Sequence, residues 1–237
     1  MYSIKTRVRF SETTYNGGLS LTALLNLFQD CATLHGADCG LSYKYMTGEG
    51  LAWVLLSWQV ELRRMPELDE PIEVVTNPYR ISGFTGLRNF WLNDASGRQL
   101  CLADTVWALI DAHKGKLTHV RPDFGEKYGL GERVPLSWKP GLMRVDPNLA
   151  EDAGTILVQP YMLDMNGHVN NAWYPQLAEA FKPEGFEYTR LSVEYRTPAR
   201  LGDTLHALRQ MDGGSVLIAL TDGAGSAYCS VKLMQGE

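Results

Sequence analysis

One short segment of the chain combines side chains that are able to move protons. Within five residues it carries a carboxylate, a carboxamide and an imidazole, at Asp164, Asn166 and His168. An imidazole with an ordinary pKa near ~6.5 can act as a general base toward water at neutral pH. A nearby carboxylate can orient that water or stabilise the imidazolium, and a carboxamide can polarise a carbonyl group. These three residues are therefore the candidate catalytic group.

The same residue types are also common in turns and helix caps, so their types alone leave a structural role open. An internal repeat favours the catalytic interpretation. The segment 16–20, Asn-Gly-Gly-Leu-Ser, is similar to the segment 166–170, Asn-Gly-His-Val-Asn, at an offset of 150. In the first copy Thr14 and Gly18 stand where the second has its aspartate and histidine. We interpret the second half as catalytic and the first as the half that shapes a pocket.

Each copy of the repeat leads into a predicted helix. Ser20 is a good N-cap for the first helix, and apolar residues follow it at the helical period. This apolar face consists of Leu21, Leu24, Leu25, Phe28, Cys31 and Ala32. In the second copy Pro175 must lie in the first turn, because only the first amides of a helix lack an intrahelical partner. The second helix is therefore predicted to start near Asn171, with Asn170 or Asn171 as its cap.

Four strands are predicted after each helix. Apolar residues alternate with more polar ones over 52–62, which is typical of a half-buried strand with Val54 and Leu56 on its apolar face. The remaining strands are predicted at 72–76, 85–92, 100–111, 190–196, 204–211, 216–221 and 227–234. Short turns make neighbouring strands antiparallel, and the helix must bury its apolar face against the sheet. The predicted class is α+β.

The repeat also predicts the domain organisation. Residues 1–125 form the first domain, 126–153 form a linker rich in glycine, proline and charge, and 154–237 form the second domain. Two copies of one unit in one chain are a fused pseudo-dimer, so we expect a self-sufficient monomer or a homodimer of it.

Composition excludes several classes of function. The net charge of −5 argues against nucleic-acid binding, which needs a concentrated basic face. The four cysteines are scattered, as in proteins of a reducing cytosol, and no apolar stretch approaches the ~20 residues of a membrane span. We expect a soluble cytoplasmic protein. Phosphate-binding glycine motifs are absent and the histidines lack metal-ligand spacing, so no cofactor or metal is expected.

Over most of its length the chain resembles the acyl-acyl-carrier-protein (acyl-ACP) thioesterases of plants and bacteria. Residues 164–171 match that family's D-x-N-x-H-V-N-N motif. Weaker matches follow in the right order at 51–54 with 58–60, at 105–107 and at 193–196. The resemblance implies two tandem hot-dog domains, each an antiparallel sheet wrapped around one long helix. It also implies hydrolysis of fatty acyl-ACP thioesters in fatty acid biosynthesis, with acyl carrier protein as partner and with Asp164, Asn166 and His168 as catalytic residues.

The chain departs from the family at one position of interest. The family places a catalytic glutamate, followed in plants by a cysteine, just after the E-Y-R strand segment, where this chain has Pro198 and Ala199. A cysteine nucleophile at that place is ruled out, and Glu194 and Glu179 are the candidates to replace the missing acid.

The expected mechanism is direct attack of water on the thioester, without an acyl-enzyme. Asp164 activates or orients the water, and His168 acts as the base or orients the water, so the choice of base stays open between them. Asn166 and the amides near the second helix start polarise the carbonyl.

Other functions remain open at this point. They are an acyl-CoA thioesterase of the same fold, a non-hydrolytic acyl-binding module, which the missing glutamate makes plausible, and, with least support, a hot-dog dehydratase. The acyl pocket is expected between the first helix and the long strand, at Leu24, Leu25, Phe28, Trp53, Leu55 and Ser57. A rim for an acidic carrier is expected at Arg63, Arg64, Arg196 and Arg200.

Overall fold

A computed structural model describes residues 1–236 of the chain. These residues divide into two compact units. Unit 1 contains Met1–Leu56 and Val60–Ser137, and unit 2 contains Ser57–Gln59 and the described chain from Trp138 onward.

Unit 1 consists of an antiparallel sheet and three helices. Its strands are β1 (Tyr2–Arg7), β2 (Leu51–Leu62), β3 (Pro71–Ser82), β4 (Thr85–Asp94), β5 (Gln99–Asp111) and the short β6 (Lys116–Leu117). Its helices are α1 (Leu21–Asp38), α2 (Tyr43–Gly48) and α3 (Pro122–Tyr128). The strand order is β1-β3-β4-β5-β2, and β6 pairs with β5.

Unit 2 repeats this plan with shorter elements. It contains β7 (Glu151–Leu157), α4 (Trp173–Glu179), β8 (Arg190–Tyr195), β9 (Thr204–Asp212), β10 (Ser215–Thr221) and β11 (Ala227–Met234). Its strand order is β7-β9-β10-β11-β8, which corresponds strand by strand to the order β1-β3-β4-β5-β2 of unit 1. The predicted succession of one helix and four strands is therefore confirmed in both units, and one further strand, β1 or β7, precedes it. Unit 1 adds α2, β6 and α3 to this plan.

Helix α1 forms as its sequence predicts. The Ser20 side chain accepts a hydrogen bond from the Ala23 amide and caps the helix. The predicted apolar face is buried, except that Ala32 is only half-buried. Phe28 stacks on Phe90 of β4 with ring centroids 5.3 Å apart. The interior of unit 1 therefore lies between α1 and the sheet.

The prediction of which side chains face the interior is wrong for the first half of β2. Val54 and Leu56 are 38% and 37% exposed, whereas Leu51 and Leu55 are buried. The strand begins with apolar residues at both odd and even positions, so hydrophobicity does not indicate which set faces the interior. A shift of one residue moves every side chain to the opposite face of the sheet. Further along, Trp58 and Val60 are buried as predicted.

Helix α4 is shorter than the long helix that the resemblance implies. It covers seven residues and begins at Trp173, two positions after the predicted start, with Pro175 in its first turn as predicted. Pro183 follows soon after its end and lacks the amide N–H that a helix needs, and Gly185 has a φ of +71°, outside the helical region. No helix among residues 1–236 is long and apolar enough to cross a membrane.

The stretch 129–150 contains neither helix nor strand, and its beginning is fastened to the sheet of unit 1. The Asn77 side chain donates to the Glu132 carbonyl at 2.6 Å, and the Val134 amide donates to the Asn89 side chain at 2.8 Å. A methyl group on Gly131 would lie 2.1 Å from the Asn77 side-chain oxygen. We call the segment 131–134 the strap.

Candidate functional site

The candidate residues lie in a tight hairpin loop that precedes α4. The Asp164 amide donates to the His168 carbonyl at 2.8 Å, and the Gly167 amide donates to the Asp164 carbonyl at 3.1 Å. Gly167 has a φ of +73°, which glycine adopts without steric cost. The loop thus brings the two ends of the segment 164–168 together.

The Asp164 carboxylate organises this loop from inside. Its Oδ1 atom accepts the Asn166 amide at 2.8 Å and the His168 amide at 3.3 Å. Its Oδ2 atom accepts Nδ2 of Asn166 at 3.2 Å. Both carboxylate oxygens are therefore engaged, and Asp164 orients the other two residues directly.

His168 presents a nitrogen with unused hydrogen-bonding capacity. Its side chain is half-buried, and its Nε2 atom is buried without a hydrogen-bond partner among residues 1–236. Burial of a polar atom without a partner is costly, so such an atom calls for a partner that the chain does not supply. Three other side-chain atoms of the described residues share this state, on Thr22, Trp53 and Trp138, but none of them belongs to the hairpin. The side chain of Asn166, two residues earlier in the sequence, is exposed. The hairpin therefore combines an oriented carboxamide with an unpartnered imidazole nitrogen.

Three of the backbone amides near the helix start are occupied, and these three do not polarise a carbonyl group of a ligand in this arrangement. The Val169 amide donates to the Ala199 carbonyl at 2.9 Å, and the Trp173 amide donates to the Asn170 carbonyl at 2.9 Å. The Ala172 amide donates to the Asn170 side chain at 3.0 Å. Ala172 itself is the N-cap of α4 and no side chain caps the helix, so the prediction of Asn170 or Asn171 as the cap is wrong. The Asn166 side chain remains as the donor that the hairpin offers.

The segment after β8 is held against the hairpin and the helix. Besides accepting the Val169 amide, Ala199 donates its own amide to the Tyr174 hydroxyl at 2.8 Å. The position at which the family carries its glutamate therefore lies beside the candidate site, with no acid at either Pro198 or Ala199.

Neither alternative acid contacts the hairpin. Glu194 pairs with Arg196 at 3.1 Å. Glu179 accepts hydrogen bonds from the Tyr188 hydroxyl at 2.8 Å and from the Gln176 side chain at 3.2 Å. Burial raises the pKa of Glu179 above its ordinary value.

Two tyrosines that the sequence analysis did not identify as functional contact the segments around the site. The Tyr195 hydroxyl donates to the Asn171 carbonyl at 2.8 Å, just before α4. The Tyr174 and Tyr195 rings contact each other edge to face, with centroids 5.8 Å apart. Burial raises the pKa of both phenols, so both remain protonated and able to donate at neutral pH. Tyr195 lay in the matching E-Y-R segment, but only the structure shows its contact.

Unit 1 contains the same hairpin, with Asn16 in the place of Asn166 but without the carboxylate and the imidazole. The Thr14 amide donates to the Gly18 carbonyl at 2.8 Å, the Gly17 amide donates to the Thr14 carbonyl at 3.0 Å, and Gly17 has a φ of +85°. The Leu19 amide donates to the Pro66 carbonyl at 2.8 Å, as Val169 does to Ala199 in unit 2. The predicted repeat is thus a structural repeat, and the imidazole and the carboxylate are confined to one copy.

Most of the predicted basic rim is neutralised by carboxylates. Arg64 pairs with Glu70, Arg63 with Glu61 and Arg196 with Glu194. Arg200 is exposed and forms no ion pair within residues 1–236. No group of three His, Cys, Asp or Glu residues in the described chain is arranged to hold a metal ion.

Two family models match the chain in sequence. Residues 1–128 match the acyl-ACP thioesterase N-terminal domain, and residues 150–231 match the acyl-ACP thioesterase C-terminal domain. The chain is 28% identical over 226 residues to the chloroplastic acyl-[acyl-carrier-protein] hydrolase FATB3 of Cuphea viscosissima, which covers 87% of this chain and 55% of that protein. It is 29% identical over 246 residues to the chloroplastic palmitoyl-acyl carrier protein thioesterase of Cuphea hookeriana, covering 92% and 59%. The chain spans a little over half the length of these relatives.

Solved structures show the same fold over nearly the whole chain. An acyl-ACP thioesterase from Bacteroides thetaiotaomicron superposes with a TM-score of 0.89 at 23% identity, covering 98% of this chain and 96% of that one. The 12:0-ACP thioesterase from Umbellularia californica superposes with a TM-score of 0.83 at 20% identity, with the same coverage. The predicted α+β fold of tandem hot-dog domains is confirmed.

Proposed function

The chain belongs to the acyl-ACP thioesterase family, and from this we propose that it hydrolyses fatty acyl-ACP thioesters, releasing free fatty acid and ending chain elongation. The observation that carries the proposal is the Nε2 atom of His168, buried and without a hydrogen-bond partner among residues 1–236. A water molecule that donates a hydrogen bond to Nε2 would satisfy it.

In the proposed reaction His168 is the general base. Its Nε2 atom accepts a proton from water while the water oxygen attacks the thioester carbonyl carbon. The second N–H of the Asn166 carboxamide donates to the carbonyl oxygen as it becomes negative. The intermediate then collapses with cleavage of the carbon–sulfur bond, and the proton on His168 passes to the sulfur. The products are a carboxylic acid and the carrier's free thiol.

Asp164 has a positioning role in this scheme. Its two oxygens accept hydrogen bonds from the Asn166 amide, the Asn166 side chain and the His168 amide. Because these contacts leave the carboxylate without a direct bond to the imidazole, we assign the base function to His168. No acid at Pro198 is required, because His168 both accepts and returns the proton.

The two halves of the chain have different proposed roles. Residues 154–237 form the catalytic half, and residues 1–125 form the half that holds the acyl chain, joined by 126–153. The apolar face of α1, with Leu24 and Phe28 fully buried against the sheet, supports this division, as does the chemically inert hairpin of unit 1. We call the space between α1 and its sheet the acyl compartment.

The proposed partner is an acyl carrier protein rather than free CoA. The names of the two plant relatives identify them as hydrolases of substrates bound to acyl carrier protein. Arg200, which is exposed and forms no ion pair within residues 1–236, also supports attraction of an acidic carrier.

The test is thioester hydrolysis by the purified chain. Acyl-ACP and acyl-CoA of several chain lengths are supplied, and the released thiol and fatty acid are measured. His168→Ala should abolish turnover, whereas His119→Ala, which removes an exposed histidine of unit 1, should not change it. Release from acyl-CoA alone would replace the carrier assignment. Absence of release from every thioester by a folded protein would refute hydrolysis.

A further inference from the structure

A buried arginine, Arg88, lies in the acyl compartment on the same face of β4 as the apolar Phe90 and Leu92. Side chains at alternate positions of a strand share a face, so Arg88 and Phe90 of β4 point to the same side. Phe90 stacks on Phe28 of α1, and Arg88 reaches His35, which lies two turns further along the same helix. Arg88 is only 8% exposed.

The contacts of Arg88 leave part of its guanidinium unused. Nη1 lies 3.2 Å from Nδ1 of His35 and donates to Oγ1 of Thr76 at 3.0 Å, and the guanidinium carbon lies 5.3 Å from the centre of the Tyr128 ring. A guanidinium carries five N–H donors. Nη1 supplies two of them, and among residues 1–236 the donors on Nε and Nη2 form no hydrogen bond.

No negative charge compensates this cation. Within the described chain Arg88 forms no ion pair, and the ionisable groups that act on it are Tyr128, Cys31 and Cys39. Burial raises the pKa of each of these groups, so all three are neutral at pH 7. His35 is neutral as well, because burial and then Arg88 lower its pKa to about 4.

A buried cation without a counter-charge is costly for a fold, and an apolar residue of similar size would serve the packing better. The free donors of Arg88 therefore point to a ligand that supplies oxygen acceptors inside the compartment. A carboxylate or a hydroxyl group meets this need, whereas a terminal methyl group would leave the N–H donors unsatisfied.

We propose that Arg88 determines substrate specificity by binding an oxygen-bearing group, a carboxylate or a hydroxyl, at the distal part of the acyl chain. This inference rests on the proposed function, and it narrows the substrate class from fatty acyl thioesters in general to those with a polar tail. His35 and Thr76 hold the guanidinium in place through Nη1, so that its remaining edge faces the chain.

The first test compares kcat/KM for thioesters of matched chain length that end in a methyl, a hydroxyl or a carboxyl group. We expect the wild type to prefer one of the oxygen-bearing tails by about tenfold to a hundredfold, the usual effect of a hydrogen bond to a charged group. Arg88→Met should remove that preference. Arg80→Met, which changes an exposed arginine on the adjacent strand, should keep it. The proposal is overturned if the wild type does not discriminate, or if folded Arg88→Met retains the wild-type ratio.

The second test does not depend on hydrolysis. Free alkanoic acids, ω-hydroxy acids and dicarboxylic acids of equal length are titrated calorimetrically into the wild type and both variants. Tighter binding of oxygen-bearing acids by the wild type and by Arg80→Met, lost in Arg88→Met, supports the role of Arg88 even if no thioester is cleaved. Cleavage of thioesters with unchanged tail selectivity refutes the role of Arg88 and leaves the proposed function standing. If Arg88→Met does not fold, Arg88→Lys takes its place, and we expect it to reduce the preference because an ammonium lacks the planar donor edge.

Discussion

The carbonyl oxygen of Ala199 accepts a hydrogen bond from the Val169 amide at 2.9 Å. The segment that follows β8 is thereby attached to the residue after His168, and a side chain at Pro198 or Ala199 lies next to the candidate site. A family glutamate at this position would adjoin the hairpin, and its absence here is a local chemical change within a retained backbone arrangement.

Restoring the acid tests whether the chain needs it. Pro198 is exposed, so Pro198→Glu introduces a carboxylate without burying a charge. Because His168 already accepts and returns the proton in the proposed reaction, we expect kcat/KM to change by less than about threefold. Glu194→Gln serves as a control for an altered carboxylate on the neighbouring strand. A rise of tenfold or more in Pro198→Glu alone would show that the native site lacks an acid and would contradict the assigned mechanism.

The inert hairpin of unit 1 supplies a matched substitution for Asp164. Thr14 holds the equivalent position there, so Asp164→Thr should leave the hairpin folded and change the free energy of unfolding by less than about 1 kcal/mol. Turnover should nevertheless fall about tenfold to a thousandfold, since Asn166 and His168 lose the carboxylate that orients them. Urea denaturation and steady-state kinetics measure the two effects separately. If turnover fell only as far as the fraction of folded protein falls, Asp164 would instead be a purely structural residue.

His35 makes the stability of the chain depend on pH. Burial, followed by the charge of Arg88, lowers its pKa from 6.5 to about 4 in the folded state. Because the folded pKa is the lower one, the stabilisation is fully present above pH 6.5 and is lost as the pH falls through 4. The shift corresponds to about 3 kcal/mol.

His35→Asn places a side-chain amide oxygen near the position that Nδ1 of His35 occupies in the wild type, and so retains an acceptor for Arg88. The free energy of unfolding of this variant should fall less steeply than that of the wild type between pH 6.5 and 4. His119→Asn, at an exposed site, should follow the wild-type curve. Parallel curves for wild type and His35→Asn would contradict the shifted pKa.

The strap depends on the absence of a side chain at Gly131. A Cβ atom there would lie 2.1 Å from Oδ1 of Asn77, a contact that forces the strap or Asn77 to move. We expect Gly131→Ala to destabilise the protein by about 1–3 kcal/mol. Glu132→Ala removes an exposed side chain while its carbonyl still accepts the Asn77 amide, so it should change stability by less than about 0.5 kcal/mol. Thermal denaturation compares the two, and equal midpoints would show that the strap tolerates displacement.

The sequence was most informative where one physical signal acted alone. The face of α1, its cap at Ser20 and the offset between the two hairpins were all readable, because helical periodicity and turn chemistry point the same way. Val54 and Leu56 were misplaced since the strand is apolar on both faces. The length of α4 depends on how soon Pro183 and Gly185 end it, which the apolar pattern did not indicate.

The candidate site was predictable in its residue types and not in its bonding. The motif located Asp164, Asn166 and His168, but the engagement of both Asp164 oxygens and the occupation of the Val169 and Trp173 amides are products of the folded backbone. The position of Arg88 could have been recognised from the sequence. It is the charged residue in an otherwise apolar alternation on β4, and a charge on the inward face of a strand needs a partner.

The two hairpins are held by backbone hydrogen bonds and by a left-handed glycine, Gly17 in one and Gly167 in the other. In unit 1 the same frame forms without the carboxylate and the imidazole, and a Cβ atom at Gly18 would meet no atom closer than 3.7 Å. Either copy could therefore lose or gain its reactive groups by two point mutations without refolding. The backbone frame of the hairpin and the chemistry that it carries are thus separable.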